Sequence, residues 1–141
     1  MLAGAGLVTR AHPQRTHSGG VASYERFAAW RRSYELVLAV YQATDSFPKN
    51  ELYGLTSQAR RAAFSVVANI AEGSANKGAR EFRRYLDIAL GSITELEVAL
   101  RLARDRGYVT PESWADVERL RNHAGMLTWR LYRAIRNNRE P

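Results

Sequence analysis

A stripe of polar side chains on the second predicted helix is the first place where this sequence could do chemistry. Its members recur at steps of three or four residues, so one helical face carries Gln58, Arg61, Ser65, Asn69 and Glu72. Apolar residues flank this face, and polar groups are costly to bury unless each one finds a hydrogen-bond partner. The stripe therefore predicts either a polar pocket for a ligand or a hydrogen-bonded network that sets helix register.

The third predicted helix offers partners for this stripe in Ser92, Glu95 and Glu97. Residues two apart diverge on a helix, so Glu95 and Glu97 do not form a paired-carboxylate site for acid and base catalysis. We favour a structural network, because such networks can specify packing without chemistry; its members are Gln58, Arg61, Ser65, Asn69, Glu72, Ser92 and Glu95. An enzyme that uses the face of Gln58, Asn69 and Glu72 is the less favoured alternative.

Known catalytic and metal-binding patterns are missing from the sequence. It contains no nucleophile elbow, P-loop or zinc-protease motif, and the Glu-x-x-His pattern of di-metal bundles is absent. There is no Cys, and the three histidines lie far apart at His12, His17 and His123. The loop 73–78 precedes a helix N-terminus, where phosphate can bind, but we favour an ordinary connection. We therefore expect no catalytic residue, no metal and no cofactor.

The positive charge of the chain predicts an acidic partner. The formal net charge is +7, and the basic residues are 19 Arg and 2 Lys. Tyr85, Trp129 and Tyr132 are interleaved with arginine clusters, and guanidinium groups beside aromatic rings can grip RNA backbone and unstacked bases. The candidate nucleic-acid-binding residues are Arg80, Arg83, Arg84, Arg101, Arg104, Arg130, Arg133 and Arg136. The alternative is a solvated basic face whose last arginines complement the negative end of a helix.

Four amphipathic helices must position these side chains. Residues 1–23 carry Gly and Pro without a clear period, which predicts a disordered or loosely packed tail, and residues 139–141 form a second short tail. Between them, residues 24–138 are predicted to form one helical domain. We expect helices from about Tyr24 to Asp45, Leu55 to Glu72, Ala79 to Arg106, and Pro111 to near residue 138.

Apolar residues repeat on each of these helices. The most regular stripe, at alternating steps of four and three, is on helix three: Phe82, Leu86, Ala89, Ile93, Leu96, Leu100 and Ala103. Helix four continues the same spacing through Val117, Leu120, Ala124, Leu127, Leu131 and Ile135. The predicted face of helix one consists of Phe27, Trp30, Tyr34, Val37, Tyr41 and Thr44. Leu38 and Val40 widen its apolar coverage, which favours contact with a partner subunit.

The second helix differs from the others because its apolar side is built from small residues, which permits close helix approach. Gly73 is predicted just past its C-terminus, where a left-handed conformation is common. Short connections between all four helices favour antiparallel neighbours, so we expect an all-α, up-down-up-down four-helix bundle. No apolar run approaches the ~20 residues that span a bilayer, and the lack of Cys agrees with a cytoplasmic location.

Several short segments resemble the bacterial four-helix bundle family of intervening-sequence proteins, encoded within insertions in the large ribosomal RNA gene. The resemblance extends over about residues 24–136, and its most specific segments are ELYGLTSQ at 51–58, RRA at 60–62, NIAEG at 69–73, EF at 81–82, ALGS at 89–92 and ELE at 95–97. It implies an antiparallel bundle that assembles as a homopentamer, and it implies no catalytic residues. It also implies kinship with accessory proteins of diversity-generating retroelements, which cooperate with a reverse transcriptase and bind nucleic acid.

Two positions depart from the family pattern. Gly78 stands where the family usually has Ser or Thr before helix three, so a capping hydroxyl is lost at a cost of a few tenths of a kcal/mol. Val67 stands near a position where the family often has Pro, which predicts a straighter second helix.

Together these features predict a non-enzymatic, basic homo-oligomer that binds RNA or DNA without strong sequence preference. The alternative is a structural adaptor that binds a protein partner, such as a reverse transcriptase.

Overall fold

The computed structural model describes residues 23–75 and 77–137, and in this part of the chain every regular element is helical. The four long helices are α1 (Ala28–Thr44), α2 (Leu55–Gly73), α3 (Ala79–Asp105) and α4 (Pro111–Asn137). Two short 3-10 helices precede α1 and α2, at Ser23–Arg26 and Lys49–Glu51. The predicted all-α class with four helices is therefore confirmed. The predicted tails lie almost wholly outside the described residues, as do the side chains at positions 136 and 137.

The helix starts follow local capping chemistry. The Thr110 hydroxyl oxygen accepts a hydrogen bond from the Ser113 amide at 3.2 Å, and Pro111 is the first residue of α4, as predicted. The Glu51 carboxylate accepts a hydrogen bond from the Leu55 amide at 3.1 Å, which satisfies a free donor at the start of α2. The predicted start of helix one at Tyr24 is wrong, because Phe27 has an extended backbone that separates the 3-10 turn from α1.

Gly78 precedes α3 with φ at +86° and ψ at 164°. Residues other than glycine rarely adopt this backbone conformation. The departure from the family's Ser or Thr is thus matched to the local backbone, because a hydroxyl-bearing residue would be strained here.

The interior consists of two core clusters, and all four helices contribute to each. The first contains Leu36, Val37, Val40, Ala43, Ala59, Ala62, Ala63, Val67, Leu96, Leu100, Val117 and Ala124. The second contains Ala29, Val66, Ile70, Phe82, Leu86, Ala89 and Ile93, with Phe27, Leu127, Leu131, Tyr132 and Ile135 packed against it. Helix α2 contacts α1 and α3, and α4 also contacts α1 and α3, so each helix packs against two neighbours around both clusters.

The heptad stripe of α3 is confirmed, since all seven predicted residues from Phe82 to Ala103 are buried. The stripe of α4 is confirmed only in part. Val117 and Ala124 are buried, whereas the larger residues from Leu120 to Ile135 are half-buried. The other buried positions of α4 belong to Arg121 and Thr128, and the Thr128 hydroxyl donates to the Ala124 carbonyl at 2.7 Å.

The predicted core face of α1 is wrong at Tyr34 and Tyr41, whereas Phe27 and Trp30 pack against the core as predicted. Tyr34 and Tyr41 are 46% and 44% exposed, whereas the buried face consists of Ala29, Ser33, Leu36, Val37, Val40, Ala43 and Thr44. Tyrosine has an apolar ring and a polar hydroxyl, so it tolerates the rim of a core. The smaller residues allow α1 to approach its neighbours closely.

Gly73 is the last residue of α2 rather than a left-handed residue beyond it, so that prediction is also wrong. It is buried, and a Cβ atom built there would lie 2.7 Å from the Tyr85 Cβ and 3.2 Å from a Phe82 ring carbon. Glycine is required here because α2 and α3 approach each other too closely for a side chain.

Candidate nucleic-acid interface

The structure brings together three of the seven residues predicted to form the polar network. The hydroxyl oxygens of Ser65 and Ser92 lie 2.7 Å apart across the contact between α2 and α3. The Asn69 amide nitrogen donates to the Ser65 carbonyl at 2.7 Å and lies 3.0 Å from the Ser65 hydroxyl. This cluster is compact and partly buried, and each of these hydrogen bonds joins two of its members. It fits a role in helix packing rather than in ligand chemistry.

The other four residues of that network are exposed and have different neighbours. Gln58 and Glu95 line an open groove between α2 and α3, and Arg61 lines a separate groove between α1 and α2. The Glu72 carboxylate accepts from the Lys77 ammonium at 2.6 Å, and this hydrogen bond raises the pKa of Lys77. The five residues of the polar stripe therefore share one helical face but lie in four separate environments.

Arg121 is a polar core residue that the sequence interpretation missed. It is buried on α4, where its guanidinium donates to the Glu118 carboxylate at 2.7 Å and lies 3.6 Å from a Glu97 carboxylate oxygen on α3. Glu97 also pairs with the exposed Arg101 at 3.3 Å. The spacing of Arg121 from Val117 and Ala124 would have placed it on the buried face.

The eight candidate arginines divide according to whether an acid neutralises them. Arg84, Arg101 and Arg104 form ion pairs with Glu81, Glu97 and Asp105, respectively. The hydrogen bond to Glu81 also raises the pKa of Arg84. Among the described residues, no ion pair involves Arg80, Arg83, Arg130 or Arg133. Arg136 belongs to α4, and its side chain is outside the described part.

Charge is distributed unequally between two halves of the bundle, which correspond to the two core clusters. We define the basic half as the described residues of 23–35, 65–93 and 125–137, around the second cluster; it contains ten Lys and Arg but five Asp and Glu. The neutral half, residues 36–64 and 94–124 around the first cluster, contains eight of each. The charge excess of the described chain thus lies in one half, which also contains Arg80, Arg83, Arg130 and Arg133.

Aromatic rings accompany the cations in both halves. In the basic half, the Trp129 and Tyr132 rings of α4 stack with their centroids 5.6 Å apart, and the Arg84 guanidinium lies 4.6 Å from the Tyr85 ring centroid. In the neutral half, Arg104 covers Trp114 at 4.5 Å. The predicted interleaving of arginines and aromatic residues is present as physical contact at Tyr85.

Neither a metal centre nor a membrane span occurs in the part of the chain that the structure describes. Within residues 23–75 and 77–137, no three His, Asp or Glu side chains are grouped closely enough to hold a metal ion. No helix in these ranges is long and apolar enough to cross a bilayer. His123 is half-buried on α4, and the other two histidines, His12 and His17, are outside the described residues.

Comparison with known proteins agrees with the resemblance seen in the short segments. No curated protein matches the chain. The family model described as 23S rRNA-intervening sequence protein matches residues 25–128, which include all of α1, α2 and α3 and two thirds of α4. On the basis of this match and the four-helix fold, the chain belongs to the 23S rRNA-intervening sequence protein family.

Proposed function

We propose that this protein is a non-enzymatic, basic homo-oligomer that binds RNA or DNA without strong sequence preference. The observation that supports the proposal is the unequal charge distribution, with an excess of five positive charges in the basic half and none in the neutral half. Phosphate contacts from arginines supply affinity but carry no sequence information. Arg80, Arg83, Arg130 and Arg133 are the residues on which we expect this binding to depend.

The test is the affinity for a labelled RNA across a salt series, measured by fluorescence anisotropy. For the wild-type protein, we expect the logarithm of the association constant to fall linearly with the logarithm of salt concentration. Replacing Arg80, Arg83, Arg130 and Arg133 with Ala should flatten this slope by about 0.7 for each lost contact to a single strand.

A charge-matched control comes from the neutral half. The variant with Ala at Arg101, Arg104, Arg106 and Arg119 also loses four positive charges from exposed positions. Because these charges lie outside the basic half, the variant should keep most of the salt slope. Equal loss in the two variants would show that total charge, rather than the basic half, determines binding. The proposal would be contradicted if the wild-type protein did not bind RNA, or if its association constant did not depend on salt concentration.

We also propose the antiparallel, up-down-up-down topology for the bundle. Between α2 and α3, the partner's residue number falls as the residue number along α2 rises. Ser65 lies against Ser92, whereas Gly73 lies against Tyr85 and Phe82. Between α3 and α4, Glu97 approaches Arg121 and Arg104 covers Trp114, so residue numbers again run in opposite directions. These pairs, together with the short connections between helices, support the proposal.

Self-association is proposed through an outer stripe of α3. We name this stripe the α3 seam; it consists of Ile88, Gly91, Glu95, Val98 and Leu102, at alternating steps of three and four. Ile88, Val98 and Leu102 are 41%, 62% and 51% exposed, so a second heptad stripe lies open beside the buried one. Sustained heptad spacing is typical of helices that pack against a further helix.

The number of copies, five, comes from the family resemblance. A cyclic pentamer joins two different surfaces of each subunit, so the α3 seam would contact another face of the next copy. Leu38 of α1, which is 55% exposed, lies on such a face. Sedimentation velocity should give a pentamer for the wild-type protein and smaller species for Val98→Asp. Met126→Asp, which places the same charge at an exposed position of α4 outside the seam, should keep the assembly intact.

The α3 seam also favours the second candidate function, a structural adaptor for a protein partner such as a reverse transcriptase. An exposed apolar stripe on a folded helix is a surface that other proteins can cover. A protein that is monomeric and does not bind RNA would favour this adaptor function over the first proposal.

A further inference from the structure

An open groove between α1 and α2 combines aromatic rings with a cation, and it lies in the neutral half of the bundle. Its volume is about 420 Å³, and its lining includes Tyr41, Leu52, Tyr53, Arg60, Arg61 and Phe64. We name it the aromatic groove. None of the arginines assigned above to phosphate binding lines it, so it is a separate place on the molecule.

The aromatic groove exposes rings that a folded protein usually covers. Tyr53 is 94% exposed and Phe64 is 60% exposed, and Tyr41 adds a third accessible ring at 44%. Aromatic rings carry a large apolar surface, so exposed rings gathered around one concavity mark a binding surface more strongly than scattered ones do.

Arg60 is held rigidly in the wall of this groove. Its Nε donates to the Thr44 hydroxyl at 2.8 Å, and its Nη2 donates to the Asp45 carboxylate at 3.0 Å. The guanidinium carbon lies 4.6 Å from the Tyr41 ring centroid. Because Asp45 neutralises its charge, Arg60 provides a fixed planar surface rather than a free cation.

Arg61 provides the free cation. It is exposed on the same groove, and no ion pair among the described residues involves it. A ligand that complements both features needs a flat π-face for the rings and a negative charge close to that face for Arg61. An unpaired nucleotide has both, whereas a base inside a duplex hides its faces in the stack.

We infer that the aromatic groove binds an unpaired base of single-stranded RNA or DNA, with the base stacked on Phe64 or Tyr53 and its phosphate beside Arg61. Stacking of this kind tolerates any base, since every base has a π-face. The inference deepens the proposed nucleic-acid binding and rests on it for the class of ligand. It adds a preference for single strands, which phosphate contacts by the basic half alone would not produce.

The experiment compares a labelled single-stranded oligonucleotide with a duplex of the same length, as ribose and deoxyribose versions. The wild-type protein should bind both single strands more tightly than the duplexes. Phe64→Leu keeps apolar bulk but removes the ring, and it should weaken single-strand binding about five- to hundredfold while leaving duplex binding unchanged. Phe64→Trp should restore single-strand binding, because it restores a stacking surface.

A matched control is Tyr34→Leu, which removes an exposed ring of α1 that does not line the groove. It should leave single-strand binding unchanged. Full single-strand affinity in Phe64→Leu, or equal single-strand affinities of Phe64→Leu and Phe64→Trp, would overturn the inference. The salt-dependent binding of the basic half could still hold in that case. Single-strand binding that needs Phe64 but is unaffected by loss of the four basic-half arginines would instead contradict the proposed role of the basic half and support the groove.

Sedimentation velocity on the same variants separates the groove from a subunit interface. Phe64→Leu should leave the assembly unchanged if a nucleotide occupies the groove. A change of oligomeric state in that variant would show that a second copy of the chain covers Phe64, and would overturn the inference. Absence of binding by the wild-type protein to every probe would overturn both proposals.

Discussion

Toward α3, helix α2 presents small residues that bring the two backbones together, whereas toward α1 it leaves a groove bordered by exposed rings and arginines. At the first contact, Gly73 touches Tyr85 and Phe82, and Ser65 hydrogen-bonds to Ser92. At the second, Phe64 and Arg61 face an opening of about 420 Å³. Residues 65–73 of α2 thus make a tight contact with α3, which we call the closed joint, whereas residues 56–64 border an open surface toward α1.

Because the two sides of α2 differ in this way, we expect the effects of substitutions on stability and on binding to be separable. At the closed joint, there is no space for a ligand, and the polar groups satisfy one another, so substitutions should change the free energy of unfolding. At the aromatic groove, the side chains make few contacts that folding requires, so substitutions should change affinity instead. Substitutions at Gly73, at two buried serines and at Phe64 test this separation.

The largest effect is expected at Gly73. Gly73→Ala should lower the free energy of unfolding by about 1–3 kcal/mol, because its Cβ would lie 2.7 Å from the Tyr85 Cβ, which is fixed to the α3 backbone. Urea denaturation followed by circular dichroism measures the change. The same substitution normally stabilises a helix interior, so the expected sign is opposite to that of helix propensity.

Gly125→Ala on α4 is the control for this prediction. Its Cβ would meet Ile93 at 3.6 Å, an ordinary van der Waals distance. It should raise the free energy of unfolding by about 0.5–1 kcal/mol through helix propensity. A Gly73→Ala protein that is as stable as the wild type would show that α2 and α3 can separate at low cost.

An intermediate effect is expected from two buried serines that receive the same substitution. Ser92→Ala removes the hydrogen bond to Ser65 and should destabilise the protein by about 1 kcal/mol. Ser33→Ala should stabilise it by about 1 kcal/mol, because the buried Ser33 hydroxyl has no hydrogen-bond partner among the described residues.

Thermal unfolding by calorimetry distinguishes the two signs. A double-mutant cycle of Ser65→Ala with Ser92→Ala should give a coupling energy near the cost of the hydrogen bond. Equal effects of Ser33→Ala and Ser92→Ala would mean that the hydrogen bond across the joint contributes nothing to stability.

The smallest effect on stability is expected at the aromatic groove. Phe64→Ala should change the free energy of unfolding by no more than about 0.5 kcal/mol, because Phe64 is 60% exposed. Ile70→Ala, at a fully buried position on the same helix, is the comparison and should cost about 2–5 kcal/mol. A loss above 2 kcal/mol from Phe64→Ala would remove the distinction between the two sides of α2.

The buried faces of the helices were predictable to different degrees, and α3 and α1 show why. On α3, one heptad stripe is apolar at every position, whereas the neighbouring stripe is interrupted by Gly91 and Glu95. The uninterrupted stripe was therefore chosen, and the prediction was right at all seven positions. On α1, apolar residues occupy several sides. Periodicity then defines more than one candidate face, and the sequence interpretation selected the larger rings of Tyr34 and Tyr41, which lie at the rim.

The candidate site shows the same limit. Spacing correctly placed Ser65, Asn69 and Ser92 where they could meet, because short-range spacing and one helix pairing were enough. It did not separate Arg61 and Gln58 into different grooves, since both occupy the same side of one helix and differ only in their neighbours. Arg121 was not predicted, because arginine is rarely buried unless it is paired, and only the structure shows that Glu97 and Glu118 pair with it.

Local period and composition were enough to predict the number of helices, the inward stripe of α3 and the excess of positive charge. Packing between helices was needed to show that the charge excess of the described residues lies in one half, that Gly73 is needed for a close helix contact, and that Tyr41, Arg61 and Phe64 share a groove. A helix fixes only the direction of each side chain around its own axis. Which residues from other helices meet that side chain depends on packing across distant parts of the chain.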